Sequence, residues 1–441
     1  MRLTSLLITS SLFLTIPAMA AAEDLKLEFH GAGWLQIGRV ENSFSLPQNG
    51  NDYENNWIGN AGGLMVAKAQ IDENWEGSFG LGTIMVHLAR GSRGQANKWY
   101  PFWVPFVDEA KFTRSSHLFT DTDVLKLNFG SFHYGYNPDV KNLGQYLLHG
   151  YVYPGAIQSS LTGPLGVLLN LSGIQASYSG GFFSNDIMMF METDEKPLYD
   201  ISLADVATFR FHPSFEFGLG VNFYRLVPMD KKLTAPGKDC DANFLGPYAN
   251  RGQENPCFII EKDANGVVTD TVLGSLAGTK AIARFRVDPK VIFSSDSGPF
   301  GKDDFVFYGE AAVLGTKDYP QLYDNLLRRI PVMFGFNFPG FNFLNASVEV
   351  EYYANKLSGD NIAARNGSWV SVVDDPRIST KRDDWKWSLN ASKVLFGNMI
   401  FLTQVANDHL RLGGNHDDDT GVEAMRTPED WYWTTKLAYF F

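Results

Sequence analysis

The chain has 441 residues and a formal net charge of −12, because 49 acidic residues outnumber 37 basic ones. The sequence pI near 5.2 argues against a nucleic-acid partner, since phosphate binding needs a basic face. After the N-terminal stretch no run of 18 apolar residues occurs, so we expect no transmembrane helix there.

Residues 1–22 are arranged like a secretory signal peptide. Arg2 precedes an apolar stretch from Leu6 to about Ile16, and small residues follow it. We therefore expect cleavage after Ala20 or Ala22, export of the chain, and a single domain over residues 23–441.

Short runs of alternating apolar and polar residues fill the rest of the chain. Combined with 42 glycines and 14% aromatic residues, this alternation leaves two classes, a secreted all-β protein and a transmembrane β-barrel. It predicts about sixteen strands, give or take about two. They lie near 25–38, 61–71, 75–88, 108–118, 122–134, 165–178, 182–193, 199–211, 214–227, 278–291, 303–315, 330–338, 344–356, 384–395, 398–411 and 430–441.

The connections between these strands alternate in length. Those after even-numbered strands are short, at 72–74, 120–123, 179–181, 212–214, 339–342 and 396–398, with 294–304 the exception. Those after odd-numbered strands are mostly long, with 194–198 the exception. An antiparallel membrane barrel has this alternation of short periplasmic turns and long extracellular loops. A β-sandwich gives no reason for it, and the absence of an internal repeat disfavours a propeller.

The last predicted strand has two distinct faces. Leu437 lies near the middle of one face, and that face carries Trp431, Trp433, Thr435, Tyr439 and Phe441. Tyr432, Thr434, Lys436, Ala438 and Phe440 form the other face. An apolar centre flanked by aromatic rings is what a lipid-facing strand needs.

Taken together, these features resemble the Gram-negative outer-membrane β-barrel proteins, of the porin type in size. The resemblance covers essentially the whole mature chain and lies in pattern, not in a motif of one family. It implies localisation in the outer membrane, contact with its lipid and lipopolysaccharide, and the possibility of a homotrimer. It also implies that the barrel-assembly machinery reads Tyr439, Phe440 and Phe441.

A barrel of this size encloses an aqueous lumen, and the strand alternation assigns polar side chains to it. The predicted pore-lining residues are Lys126, Asn128, Glu216, Asn222, Arg284, Arg286, Asp288, Glu310, Glu349, Glu351, Lys386 and Lys436. Both signs of charge appear, so strong ion selectivity does not follow from the sequence.

The third long connection, 137–166, is too apolar for a solvated loop. Leu143, Leu147 and Leu148 have helical spacing within it. Porins narrow their channel with the third outer loop, so the resemblance implies an inward-folded constriction that presents Asp139, Lys141, Gln145 and His149. The alternative is a loop packed over the barrel mouth or against a neighbouring subunit.

Cys240 and Cys257 are the only cysteines, and in an exported protein they are expected to form a disulfide that closes a local loop. We expect no metal and no cofactor.

Two other functions compete with a channel. The aromatic stretch 98–106 could stack on sugar rings, which would make the barrel a scaffold for surface adhesion. A hydrolase would need a nucleophile near a positioned histidine, and His149 with Ser159 and Ser160, or His409 with Asp408, are the candidates. Because no spacing matches a hydrolase motif, the sequence favours a passive channel for small polar solutes and no enzyme.

Overall fold

The architecture comes from a computed structural model. It describes residues 26–42, 54–55, 57–92, 95–99, 102–148, 169–193, 199–227, 229, 258–262, 268–273, 278–293, 300–314, 327, 330–340, 345–353, 384–410, 425 and 428–441. The predicted signal peptide, Cys240, Cys257 and His149 lie outside these residues.

The described chain is built almost entirely from β-strands. The first ten are β1 (Lys26–Asn42), β2 (Trp57–Gln70), β3 (Trp75–Ser92), β4 (Gln95–Trp99), β5 (Phe102–Ser116), β6 (Val124–Tyr134), β7 (Leu169–Gly180), β8 (Phe183–Met191), β9 (Ile201–His212) and β10 (Phe215–Val227). The others are β11 (Phe258–Lys262), β12 (Val268–Leu273), β13 (Gly278–Val287), β14 (Val306–Val313), β15 (Val332–Phe338), β16 (Asn345–Tyr352), β17 (Trp385–Val394), β18 (Met399–Ala406) and β19 (Trp431–Phe440). A short helix, α1 (Lys290–Phe293), and a 3₁₀ turn at Tyr146–Leu148 complete the described elements. Among the described residues, no helix has the length and apolar character needed to cross a bilayer.

Sixteen of these strands close into one antiparallel barrel. β4 pairs with β3 and brings the sheet to 17 strands, and β11 pairs with β12 in a separate hairpin. The ring closes where β1 pairs with β19, and Gly31 and Phe441 exchange two backbone hydrogen bonds of 2.8 and 3.0 Å there. The predicted fold class and strand number are therefore confirmed.

Side-chain alternation gives the barrel wall two different faces. Large apolar side chains are exposed on the outer face, for example Leu35, Leu219, Leu389 and Leu437, and Leu35 is 60% exposed. The residues between them point inwards and include most of the charged residues of the strands. The two faces predicted for β19 are those observed.

Short turns join the strands at one end, called here the turn end; the opposite end is the loop end. Asp72 accepts the backbone N–H groups of Asn74 and Trp75 and so fixes the turn between β2 and β3. Between β5 and β6, the Asp123 carboxylate accepts the N–H groups of Leu118, Phe119 and Thr120. Side chains thus satisfy backbone donors that the strand ladder leaves over.

β5 and β6 separate towards the loop end. Their last pair is Ala110 with Ser131, yet β5 continues along β3 to its first residue. Side chains connect the two strands beyond that pair: Oδ1 of Asp108 lies 3.1 Å from Nε2 of His133, and Asn170 of β7 donates to the carbonyl oxygen of Asp108 at 2.8 Å. Within the described residues, the loop-end half of β5 therefore has a strand neighbour on one side only.

Candidate functional site

The chain enters the barrel interior directly after β6. Residues 135–148, called here the inner segment, are buried from Tyr136 to Leu148 except at two positions. Their apolar side chains pack against residues of the wall in one continuous cluster. Wall members of this cluster include Phe132, Tyr134, Leu171, Met188, Phe190, Val206, Ile282, Tyr308 and Met333. One side of the interior, from β6 to β15, is consequently filled by packed apolar side chains.

Glu349 on β16 holds the first half of the inner segment. Its carboxylate is fully buried and accepts the consecutive backbone N–H groups of Lys141, Asn142 and Leu143, the last two at 2.8 and 2.9 Å. The hydroxyl of Tyr308 donates to the same carboxylate at 2.9 Å. Successive N–H groups that converge on one anion form a concave site, and here a wall carboxylate occupies it.

Glu310 on β14 holds the second half in the same way. It accepts the backbone N–H groups of Gln145 and Tyr146 at 3.2 and 2.9 Å, the Asn137 amide at 3.1 Å, and the hydroxyl of Tyr136. Four donors of the inner segment thus converge on this one carboxyl group. The two acids therefore fix the path of the segment across the interior.

Three further wall residues bond to the inner segment. Glu351 accepts the Tyr146 hydroxyl at 2.8 Å, and Asn222 donates to the carbonyl oxygen of Leu147 at 3.0 Å. Arg286 forms an ion pair of 2.9 Å with Asp139. These contacts come from β16, β10 and β13, so the segment is attached to several separate strands.

The residues that follow β18 also touch the inner segment. Asn142 donates to the carbonyl oxygen of Asp408 at 3.3 Å, and Nδ1 of His409 lies 3.2 Å from the carbonyl oxygen of Asn142. Asp408 forms a 2.6 Å ion pair with Lys386 on β17. The candidate hydrolase pair, His409 with Asp408, is thus buried and holds two loops together.

The rest of the interior is polar. Thr113, Asn128 and Gln175 form a hydrogen-bonded row across β5, β6 and β7, with bonds of 2.7 and 2.8 Å. On β9, β10 and β13, Glu216 lies between Arg210 at 2.8 Å and Arg284 at 2.7 Å. Side chains of this kind are satisfied both by each other and by water.

The structure divides the predicted site residues into groups. A pore-lining role for Glu310, Glu349, Glu351, Arg284 and Lys386 stays a prediction; they face the interior, but each is at most 4% exposed. The reason is that neighbouring side chains and the inner segment cover them. Asn222 is buried in the same way, and Asp288 lies just beyond β13, 3.4 Å from Lys290.

The four predicted constriction residues have different surroundings. Asp139 and Gln145 are buried, and Gln145 donates to the carbonyl oxygen of Asn137 at 2.8 Å. Lys141 is exposed, and His149 falls outside the described residues. Tyr136, Asn137 and Tyr146 were not predicted; the signal that could have found them is the need of an inward-folded backbone for buried acceptors.

No group of three or more His, Cys, Asp or Glu residues in the described parts of the chain is arranged to hold a metal ion.

Comparison with known proteins gives resemblance to solved structures only. No protein-family model matches the chain, and no curated protein matches it. A doubly substituted Rh. blastica porin aligns with a TM-score of 0.44 and 10% identity, over 94% of this chain and 100% of that one. A triple mutant of the Rhodopseudomonas blastica porin gives the same four values. A structure described as "Asymmetric conductivity of engineered proteins" aligns with a TM-score of 0.41 and 11% identity, over 94% and 100% of the two chains.

Proposed function

We propose that the chain forms an outer-membrane channel through which small polar solutes diffuse passively. The observation that carries this proposal is a closed ring of sixteen strands with an apolar outer face and a polar inner wall. A closed ring leaves no strand edge in hydrocarbon, so its backbone is satisfied inside a bilayer. Barrels of sixteen strands typically enclose an aqueous channel.

In this proposal the turn end faces the periplasm and the loop end faces outwards. The exposed apolar side chains then contact outer-membrane lipid, with lipopolysaccharide around the loop end. Tyr439, Phe440 and Phe441, at the closing strand, are the residues that we assign to recognition by the barrel-assembly machinery.

Transport requires no chemistry and follows the polar part of the interior. The apolar cluster blocks one side, so solutes pass along the remaining polar surface, where Lys126 and Asn128, near the turn end of β6, and Lys436, on β19, remain our proposed lining residues. The inner segment narrows this route, and its attachment to Glu310 and Glu349 sets the width.

Planar-bilayer recording of the refolded protein tests the proposal. We expect stable conductance steps, together with entry of small neutral sugars into proteoliposomes and exclusion of larger ones. Heat-modifiable migration in detergent gels serves as the control for folding. Protein that passes this control but neither conducts nor admits sugars would contradict a channel.

A further inference from the structure

One charged side chain of the inner segment is exposed. Among residues 136–148, only Pro138 and Lys141 are exposed, and Pro138 has no charge. Asp139, the only acid in this stretch, is 5% exposed and bonds to Arg286 at 2.9 Å. The segment therefore presents a single ammonium group to solvent and no acid.

The backbone on both sides of this ammonium group is fixed. The Lys141 N–H donates to Glu349, and so does the N–H of the next residue, Asn142, at 2.8 Å. Asn142 is also bonded through its side chain and its carbonyl group to residues 408–409. A flexible side chain on a fixed backbone samples only a small volume, which keeps its charge at one place in the interior.

The acidic residues that contact this part of the inner segment are engaged elsewhere. Glu349 accepts three backbone N–H groups and a tyrosine hydroxyl, and Asp408 is paired with Lys386. Within the described parts of the chain, no carboxylate oxygen lies within 4.0 Å of the Lys141 ammonium group to form an ion pair. The Lys141 charge is thus directed towards water and mobile ions.

We infer that Lys141 is a specificity-determining residue that makes the channel favour small anions, such as chloride and short carboxylates, over cations of equal size. The inference rests on the proposed channel. A fixed charge in a narrow, partly desolvated passage concentrates ions of opposite sign and excludes those of like sign. Because such an effect is screened by salt, it weakens as ionic strength rises.

The test is the reversal potential of the channel in a KCl gradient, measured for the unaltered protein, Lys141→Gln and Lys141→Glu. We expect anion preference in the unaltered protein, a weaker preference in Lys141→Gln, and a severalfold fall in the chloride-to-potassium permeability ratio in Lys141→Glu. The differences should shrink when the same gradient is applied at high salt. Lys393→Glu is the matched control, because Lys393 is exposed on the outer face of β17 and its charge lies outside the interior.

The outcomes separate the two proposals. Conducting channels whose permeability ratio is the same in all three Lys141 forms would overturn the role of Lys141 and leave the channel intact. A folded, unaltered protein without conductance would reject the channel and the selectivity with it. If Lys393→Glu changed the ratio as much as Lys141→Glu, the effect would come from net charge and not from this site.

Discussion

Glu349 accepts the backbone N–H of Leu143 at 2.9 Å, although 206 positions separate the two residues in the chain. The carboxylate offers only acceptor atoms, whereas the amide of Glu349→Gln would direct an N–H₂ group at other N–H donors. Each buried donor left unpaired costs about 1–3 kcal/mol. We expect the inner segment to fluctuate in Glu349→Gln, seen as larger open-channel current noise and a higher mean conductance in single-channel recordings.

Glu76→Gln is the control for this change. Glu76 is half-buried on the inner face of β3, and the same acid-to-amide replacement there leaves the bonds of the inner segment intact. Equal noise in the two variants would show that Glu349 does not hold the segment.

The Tyr136 hydroxyl serves two partners, since it donates to Glu310 and accepts the N–H of Leu147 at 2.9 Å. Tyr136→Phe removes both bonds at a buried position, so the free energy of unfolding should fall by about 1–3 kcal/mol. Urea titration of the folded protein in detergent measures this loss. Tyr439→Phe, with its ring exposed on the outer face, should leave the stability nearly unchanged. Similar losses in both variants would argue against the buried bonds as the cause.

Adjacent residues of β17 test which face meets lipid. Leu389 is 48% exposed on the outer face, and Asn390 points into the interior. Leu389→Arg should lower the stability in lipid vesicles by about 2–4 kcal/mol if its site is near the bilayer midplane. Asn390→Arg, which places the same side chain in the polar interior, should have a much smaller effect. A larger loss of stability in Asn390→Arg than in Leu389→Arg would mean that the faces are assigned wrongly.

Gly31 lies at the pair of strands that closes the barrel, directly beside the ring of Phe441. A Cβ atom there would overlap the ring of Phe441, whereas at Gly33, on the same face of β1, the nearest heavy atom would be 3.9 Å away. We therefore expect Gly31→Ala to lower the temperature at which the barrel unfolds in gel-shift assays and to slow its folding into vesicles. Gly33→Ala should behave like the unaltered protein. Equal behaviour of the two variants would show that the ring moves aside freely.

The turn between β5 and β6 should depend on pH through Asp123. Burial alone would raise the pKa of its carboxyl group, but the N–H bonds from Leu118, Phe119 and Thr120 and the nearby His117 outweigh it, so the pKa is lowered. A lowered pKa in the folded state stabilises the protein above the unfolded-state value of about 4, and this stabilisation is lost as the pH falls through the folded-state value.

Asp123→Asn should therefore unfold at a lower urea concentration than the unaltered protein at neutral pH. This gap between the two urea midpoints should narrow below about pH 4. Asp121→Asn, an exposed position in the same turn, is the control and should show no gap. A gap that is constant over this range would rule out the ionised carboxylate as its origin.

The strands were predictable because lipid and lumen impose opposite demands on successive residues. All sixteen barrel strands lie where alternation predicts them, and deviations occur at their ends. β2 begins at Trp57 instead of residue 61, and β7 begins at Leu169 instead of residue 165. At such ends the side chains meet neither pure hydrocarbon nor pure water, so the pattern weakens.

The beginning of β5 shows a different limit of sequence reading. The predicted strand begins near residue 108, but the observed strand starts at Phe102 and includes Pro105. Proline disrupts a strand only where its missing N–H would have joined a ladder, and it is tolerated at an edge. The part of β5 before Ala110, which includes Pro105, is not paired with β6 and so has such an edge on that side.

The interior of the barrel was harder to predict than its wall. Alternation shows that Glu310 and Glu349 point inwards, but it does not show what covers them. The apolar spacing in 137–166 indicated a packed segment and suggested a helix, whereas the structure has one 3₁₀ turn at Tyr146–Leu148. Its backbone donors are satisfied by wall acids instead of by a helical ladder, and such long-range partners leave no local pattern in the sequence.

The separation of β5 and β6 and the path of the inner segment have the same cause. A chain that turns into the interior after Tyr134 is no longer available as wall, so one event both narrows the lumen and removes a strand neighbour from β5. The Asp108–His133 contact and the Asn170 bond substitute side chains for the missing backbone ladder at that place. The diameter of the passage and the lateral strength of the barrel are therefore mechanically linked, and a change in the length of the inner segment would alter both.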